Sequence, residues 1–80
     1  MWYVYFLQSQ RADWNYVGHT SNLRIRFRSH NSGENRATAP YTPFTLIAYI
    51  AVQTEEQAVQ LERYFKTGAG AAWRNKHLFR

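Results

Sequence analysis

The chain has 80 residues, no cysteine, and ten Lys+Arg against five Asp+Glu, for a formal net charge of +5. That length supports one small core and no more, the lack of cysteine excludes disulfides and thiolate metal sites, and no apolar run approaches the roughly 20 residues of a membrane span. Eight of the ten cations are arginine, the side chain suited to bidentate phosphate contacts, so an anionic partner is expected, nucleic acid first and an acidic membrane surface second.

Trp2 to Leu7 is aromatic and β-branched with almost no alternation, which reads as a strand covered on both faces. The Met1 start leads straight into it without a basic n-region, so no signal peptide is expected and a cytoplasmic location follows. After a polar stretch with an Arg11-Ala12-Asp13 turn, Trp14 to Thr20 resumes strand character, and the two runs suggest an antiparallel hairpin. Gly18 is read as the point where the chain turns out of the second strand toward a helix.

That helix starts at one of the competent caps Thr20, Ser21 and Asn22 and stops at Asn31-Ser32-Gly33. At about 100° per residue, Leu23, Arg26, Phe27 and His30 share one face, and Arg24 and Arg28 point away. An arginine and a histidine inside an apolar stripe are unusual, because an unpaired buried charge is costly. Glu34 to Pro43 is a surface loop in which Arg36 and Thr38 have no local structural reason. Phe44 to Val52 is a third strand, and Thr54-Glu55-Glu56-Gln57 is a capping box. The following helix is expected to run to about Thr67 with Ala58, Leu61 and Phe65 as its apolar stripe and Glu62 at the stripe's edge. Gly68-Ala69-Gly70 is read as a break, and Ala71 to Phe79 as a short basic helix carrying Arg74 and Lys76.

The expected fold is α/β (α+β): a three-stranded antiparallel sheet flanked by helices, in the order β-β-α-β-α with a short C-terminal helix, as one domain over residues 1–80. Its expected core includes Leu23, Phe27, Leu46, Leu61 and Phe65.

Each candidate site residue also has a plain structural reading. Tyr5 and Tyr16 can be ordinary sheet aromatics, Arg26 can pack its stem and send its head to water, and His30 can favour a helix C-terminus. His19, beside a turn, reads as a surface residue. Among the acids, Asp13 suits a turn, Glu34 a loop, and Glu55 and Glu56 a helix N-terminus. Glu62 alone lacks such a place, apart from an i,i+4 pairing with Lys66.

Taken together, Tyr3-Val4-Tyr5, Tyr16-Val17-Gly18, the run Leu23 to Gly33, Ala58 to Lys66 and the tail Lys66 to Gly70 with Lys76 and Leu78 resemble the GIY-YIG nuclease family, in its small stand-alone bacterial members. Each motif alone is weak, and the set in this order is specific. Tyr3 departs from the name-giving motif, which has Gly there, and no asparagine is matched to the one some members use beside the metal.

The resemblance implies a divalent-metal-dependent endonuclease that hydrolyses phosphodiesters in DNA, with structured or damaged DNA in repair or recombination among the expected substrates. It assigns Tyr5 and Tyr16 as active-site tyrosines, Arg26 as the catalytic arginine, His30 as the histidine one turn on, and Glu62 as the ligand of a single Mg²⁺ or Mn²⁺. A tyrosine, Tyr5 with Tyr16 assisting, would orient or deprotonate the attacking water. Arg24, Arg28, Arg36, Arg74 and Lys76 would grip phosphates with little sequence specificity. Two alternatives stand beside this: a non-cleaving nucleic-acid-binding module on the same fold, and a basic protein-interaction or membrane-surface domain.

Overall fold

A computed structural model describes residues 1–79. The chain forms β1 (Trp2–Ser9), β2 (Asn15–Thr20), α1 (Leu23–Asn31), a 3-10 turn (Ala39–Tyr41), β3 (Phe44–Val52), α2 (Glu55–Phe65) and α3 (Gly68–His77). The sheet is antiparallel with strand order β2-β1-β3, so β1 is central and covered on both faces. Its Val4, Tyr5, Phe6 and Leu7 are all buried, as the unalternating sequence requires. No described helix is long and apolar enough to cross a membrane.

Alternation along β1 feeds two cores. Val4 and Phe6 pack with Val17, Ala58 and Phe65 on the α2 side, with Leu61, Leu78 and Phe79 against them. Tyr5 and Leu7 pack with Phe44 on the α1 side, with Leu23, Phe27, Leu46 and Tyr41 against them. Of the five expected core residues Phe65 is buried, and the other four are half-buried at the margins of these clusters.

Helix boundaries follow their caps. Asn22 accepts the Ile25 N–H at 3.1 Å and starts α1. Thr54 and Gln57 close the expected capping box of α2. The reading of residues 66–70 needs correction: α2 ends at Phe65, Thr67 caps a new helix, and Gly68 to Gly70 form its first turn and not a break. The reason is close packing. A Cβ on Gly70 would lie 2.6 Å from the Phe65 Cα and press on the Tyr64 carbonyl, so only glycine lets α3 cross so near the end of α2.

Gly18 also differs from expectation. It lies within β2, paired with Tyr5, and has no positive φ. A Cβ there would sit 2.6 Å from the Tyr5 Cζ, so the glycine makes room for a ring and does not make a turn.

The loop from Glu34 to Pro43 is held at several points. Trp14 stacks on Tyr41 at 4.0 Å, Ser9 Oγ donates to the Tyr41 carbonyl at 2.6 Å, and the Phe44 N–H donates to Asn31 Oδ1 at 2.7 Å. These ties bring Thr38 beneath the end of α1.

Candidate active site

On the α1 side, Tyr5 of β1 and His30 of α1 meet in the interior. Tyr5 is 2% exposed and His30 fully buried. The Tyr5 Oη and His30 Nε2 lie 2.8 Å apart, and His30 Nδ1 lies 2.9 Å from Thr38 Oγ1. The Thr38 hydroxyl donates to the Asn35 carbonyl. It therefore accepts from His30 Nδ1–H, which leaves Nε2 as the acceptor of the Tyr5 proton. Burial, and then the Arg26 charge, lower the His30 pKa, so the imidazole is neutral at pH 7. Burial and the neighbouring Tyr16 raise the Tyr5 phenol well above its ordinary value, against a smaller pull from Arg26. Tyr5 is therefore a donor fixed on His30, and a free Tyr5 phenolate is disfavoured.

Tyr16, half-buried on the edge strand, packs 6.3 Å from the Tyr5 ring and 5.2 Å from the His30 ring. Its hydroxyl has no partner among the described residues, and the Lys66 Nζ lies 5.4 Å from its ring centre. Arg26 is exposed on α1, and its charge is felt by both Tyr5 and His30. The only ion pairs among the described residues are two, and both involve Glu62. Arg26, Arg24, Arg28, Arg36 and Lys76 are thus exposed cations without an acidic partner there.

Glu62 projects from α2 toward the edge of β2. Its Oε1 lies 2.6 Å from His19 Nδ1 and its Oε2 2.8 Å from Lys66 Nζ. Burial pushes the carboxyl pKa up, but the hydrogen bonds and charge of Lys66 and His19 outweigh it, and the group is held below its ordinary value. Glu62 is accordingly an ionised, half-buried carboxylate at neutral pH. Lys66 links this carboxylate to the tyrosine pair, since its Nζ binds Glu62 and lies 5.4 Å from the Tyr16 ring centre.

Two residues of this region take roles that the sequence alone does not assign them. His19, read as surface, alternates with Gly18 onto the α2 side and contacts Glu62; the parity of β2 carries that signal. Thr38 completes the histidine's hydrogen bonding, a partner across eight residues of loop that no local pattern announces.

Arg74 departs from its expected role. Its Nε donates to the Phe65 carbonyl at 2.8 Å and its Nη1 to Asn15 Oδ1, so it ties α3 to α2 and β2. It spends two of its five N–H donors inside the fold, which fixes the half-buried guanidinium in place.

The model of the GIY-YIG catalytic domain matches residues 1–76. The chain belongs to the GIY-YIG family. In that family's terms, the tyrosines of both name-giving motifs face the same buried histidine, and the second motif's glycine is the space the first motif's tyrosine occupies.

The chain is also similar to UPF0213 protein BH0048 of Halalkalibacterium halodurans, 36% identical over 64 residues, which is 75% of this chain and 64% of that protein. UPF0213 protein YazA of Bacillus subtilis is 32% identical over 65 residues, 80% of this chain and 65% of that protein. The chain thus spans just under two thirds of the length of these curated relatives. No solved structure matches it. GIY-YIG domains form a nuclease family, which gives the site its chemical frame.

Proposed function

We propose that the protein is a metal-dependent endonuclease that hydrolyses phosphodiester bonds in DNA, acting in the cytoplasm on structured or damaged strands. The observation that carries this reading is the buried Tyr5–His30–Thr38 chain beside an unpaired arginine and an ionised carboxylate. A phosphodiester is anionic, its attacking water must lose a proton, and its leaving oxygen develops charge. The site supplies a group for each need.

Arg26 would hold a non-bridging phosphate oxygen, and its partner-free guanidinium is suited to that contact. The Tyr16 hydroxyl would orient the attacking water. The water's proton would pass to the Tyr5 oxygen as the Tyr5 proton moves to His30 Nε2, which forms imidazolium and leaves tyrosine neutral. The resulting hydroxide would bond to phosphorus while the bond to the leaving oxygen breaks, and that oxygen would take a proton from solvent. This relay lets Tyr5 serve without a phenolate, as its raised pKa demands.

The donor set fits a hard divalent cation only through sparse protein ligation. No group of three His, Cys, Asp or Glu residues is available among the described residues, and Glu62 is the one carboxylate in the region. Magnesium commonly keeps several waters and takes one or two carboxylates with substrate phosphate. Glu62 would hold Mg²⁺ or Mn²⁺, which when bound supplies stabilisation of charge on the leaving oxygen. The contacts of His19 and Lys66 with both Glu62 oxygens favour a second reading, a nucleic-acid-binding module that does not cut.

The deciding test incubates the purified protein with supercoiled, branched and single-stranded DNA, with and without Mg²⁺ or Mn²⁺. Metal-dependent cutting is expected. It should fall by at least about a hundredfold in Glu62→Gln and Arg26→Ala, since several kcal/mol of charge stabilisation at the transition state is lost. Metal-free DNA binding by Glu62→Gln should persist. Full cleavage by that variant would reject the single-metal mechanism, and wild-type binding without any cutting would favour the second reading.

A further inference from the structure

α1 has two flanks. His30 lies against the tyrosine pair, whereas Arg24 and Phe27 lie with Leu46 and Tyr49 of β3. On the β3 side the helix leaves part of the sheet uncovered, and a cleft of about 480 Å³ opens there, within the usual range of small-ligand sites.

Tyr3, Tyr49, Phe27 and Leu46 form its apolar surfaces, with Arg24 and Asn22 at the polar rim. Tyr49 is 55% exposed and meets Tyr3 edge-on at 5.9 Å, which leaves much of its ring open to the cleft. The β3 bulge opposite Phe6 and Leu7 sets this register and presents Tyr49 directly across from Tyr5. The cleft thus adjoins the proposed catalytic tyrosine through the sheet. Its lining contains no acid, Arg24 makes no ion pair, and Arg28 follows one turn later on the same outer side of α1. Asn22 spends its Oδ1 on the helix cap, which leaves the side-chain amide N–H groups free to meet a polar edge.

We propose that this cleft receives one unpaired base of the bound nucleic acid, its face against Tyr49 and its edge toward Asn22, with Arg24 on the adjoining phosphate. The proposal rests on nucleic acid being the partner, but not on cleavage. An apolar slot walled by aromatic rings suits a flat heterocycle, and base–aromatic stacking tolerates any base. The cation at the rim suits the phosphate that every nucleotide carries. A base held in a duplex stack could not enter, so the cleft selects for strands with a base free to leave the stack. Tyr3 and Tyr5 stand two residues apart on β1, roughly 7 Å along the strand. The captured base would therefore belong to a nucleotide close to the scissile phosphate.

The test is binding without metal, read by fluorescence anisotropy. The probes are a single strand of about eight nucleotides, within the usual site size, and an abasic sugar-phosphate strand of the same length. Tyr49→Ala should weaken binding to the base-bearing strand by roughly five- to a hundredfold, the range of one lost stacking contact, and leave the abasic strand unchanged. Tyr49→Phe keeps the ring and should bind both as the wild type does. Arg24→Ala should lower the salt slope on both strands by about 0.7, as expected for one phosphate contact. Equal losses on both strands, or no loss on either, would overturn the proposal; the latter is also what a peptide occupant predicts. Base-dependent loss in a protein that cuts nothing would leave the cleft standing and remove the nuclease reading. Cutting that coexists with no Tyr49 effect would do the opposite.

Discussion

The two faces of the sheet are built from alternate residues of one strand, yet they obey different rules. Toward α2, Val4 and Phe6 meet Val17, Ala58 and Phe65, with Phe6 and Phe65 edge to face at 5.0 Å. This side is held by apolar area and ring packing. Toward α1, Tyr5 meets His30 and His30 meets Thr38, so the rings that fill space also carry polar atoms. No buried side-chain polar atom among the described residues lacks a partner. The first face resists change through volume; the second resists it through hydrogen-bond arithmetic. An 80-residue chain can thus keep a hydrogen-bonded polar cluster inside because the opposite parity of the same strand anchors the sheet.

Substitutions on the two faces should therefore fail differently. The largest effect is expected from Phe6→Ala, at about 3–5 kcal/mol, a large share of the stability of a small domain. Chemical denaturation should show a large drop in midpoint, with activity per folded molecule retained. Gly70→Ala should follow at about 1–3 kcal/mol, since the new methyl presses on the backbone of Tyr64 and Phe65, which cannot yield as a side-chain tip does. A Gly70→Ala protein of unchanged stability would mean that the α2–α3 crossing is looser than its geometry implies.

On the reactive face the pair to compare is Tyr5→Phe and Tyr16→Phe. Tyr5→Phe leaves His30 Nε2 buried without its donor, a cost of about 1–3 kcal/mol. Tyr16→Phe removes a hydroxyl without a protein partner and should shift stability by less than about 0.5 kcal/mol. Both should slow cleavage. Equal stability losses would show that the two tyrosines are not divided into a buried relay and a solvent-facing one.

The fold was legible because its signals are local. Unalternating β1, the caps at Asn22 and Thr54, and the stripe of α2 each speak within a few residues. The resemblance points to Tyr5, Tyr16, Arg26, His30 and Glu62; the structure packs Tyr5 and Tyr16 on His30, leaves Arg26 exposed on α1, and pairs Glu62 with His19 and Lys66. The remaining features are tertiary packing: Arg74 meets Asn15 across 59 residues, while Thr38 under His30 and Gly70 against Tyr64, close in sequence, depend on how a loop and a helix fold back. Gly18 shows the same dependence, since its bare Cα serves a ring on the neighbouring strand and not a turn.

Acid should separate the faces again. The His30 pKa is lowered from 6.5 in the folded protein, so folding favours the neutral ring. That contribution is complete above 6.5 and is lost as pH falls through the lowered folded value. Glu62, lowered from 4.5, adds a second loss below that point. Stability measured between pH 6.5 and 4.5 should decline by at most about 1.4 kcal/mol per unit, the limit for one proton. His30→Gln should flatten this limb, whereas Phe6→Leu on the apolar face should shift the curve without changing its shape. An unchanged slope in His30→Gln would assign the acid limb to another group.

Lys66→Met should cost little stability, and it bears directly on Glu62. Lys66 is exposed, pairs with Glu62 across one helical turn, and lies over the Tyr16 ring. An exposed i,i+4 pair contributes about 0.3–0.5 kcal/mol and an exposed cation–π contact about 0.5. Methionine keeps much of the stem's packing, so the stability loss should stay under about 1 kcal/mol. The consequence for a cation is larger. The ammonium occupies Glu62 Oε2 and repels a divalent ion at the same carboxylate. With it gone, His19 still holds Oε1, and Oε2 is open. Direct titration with Mn²⁺ should therefore show tighter binding in Lys66→Met than in the wild type, and weaker binding in Glu62→Gln. Activity is not needed for this readout. If Glu62 is only an ion-pair partner, neither substitution will move Mn²⁺ affinity, and the small loss of stability will be the whole effect.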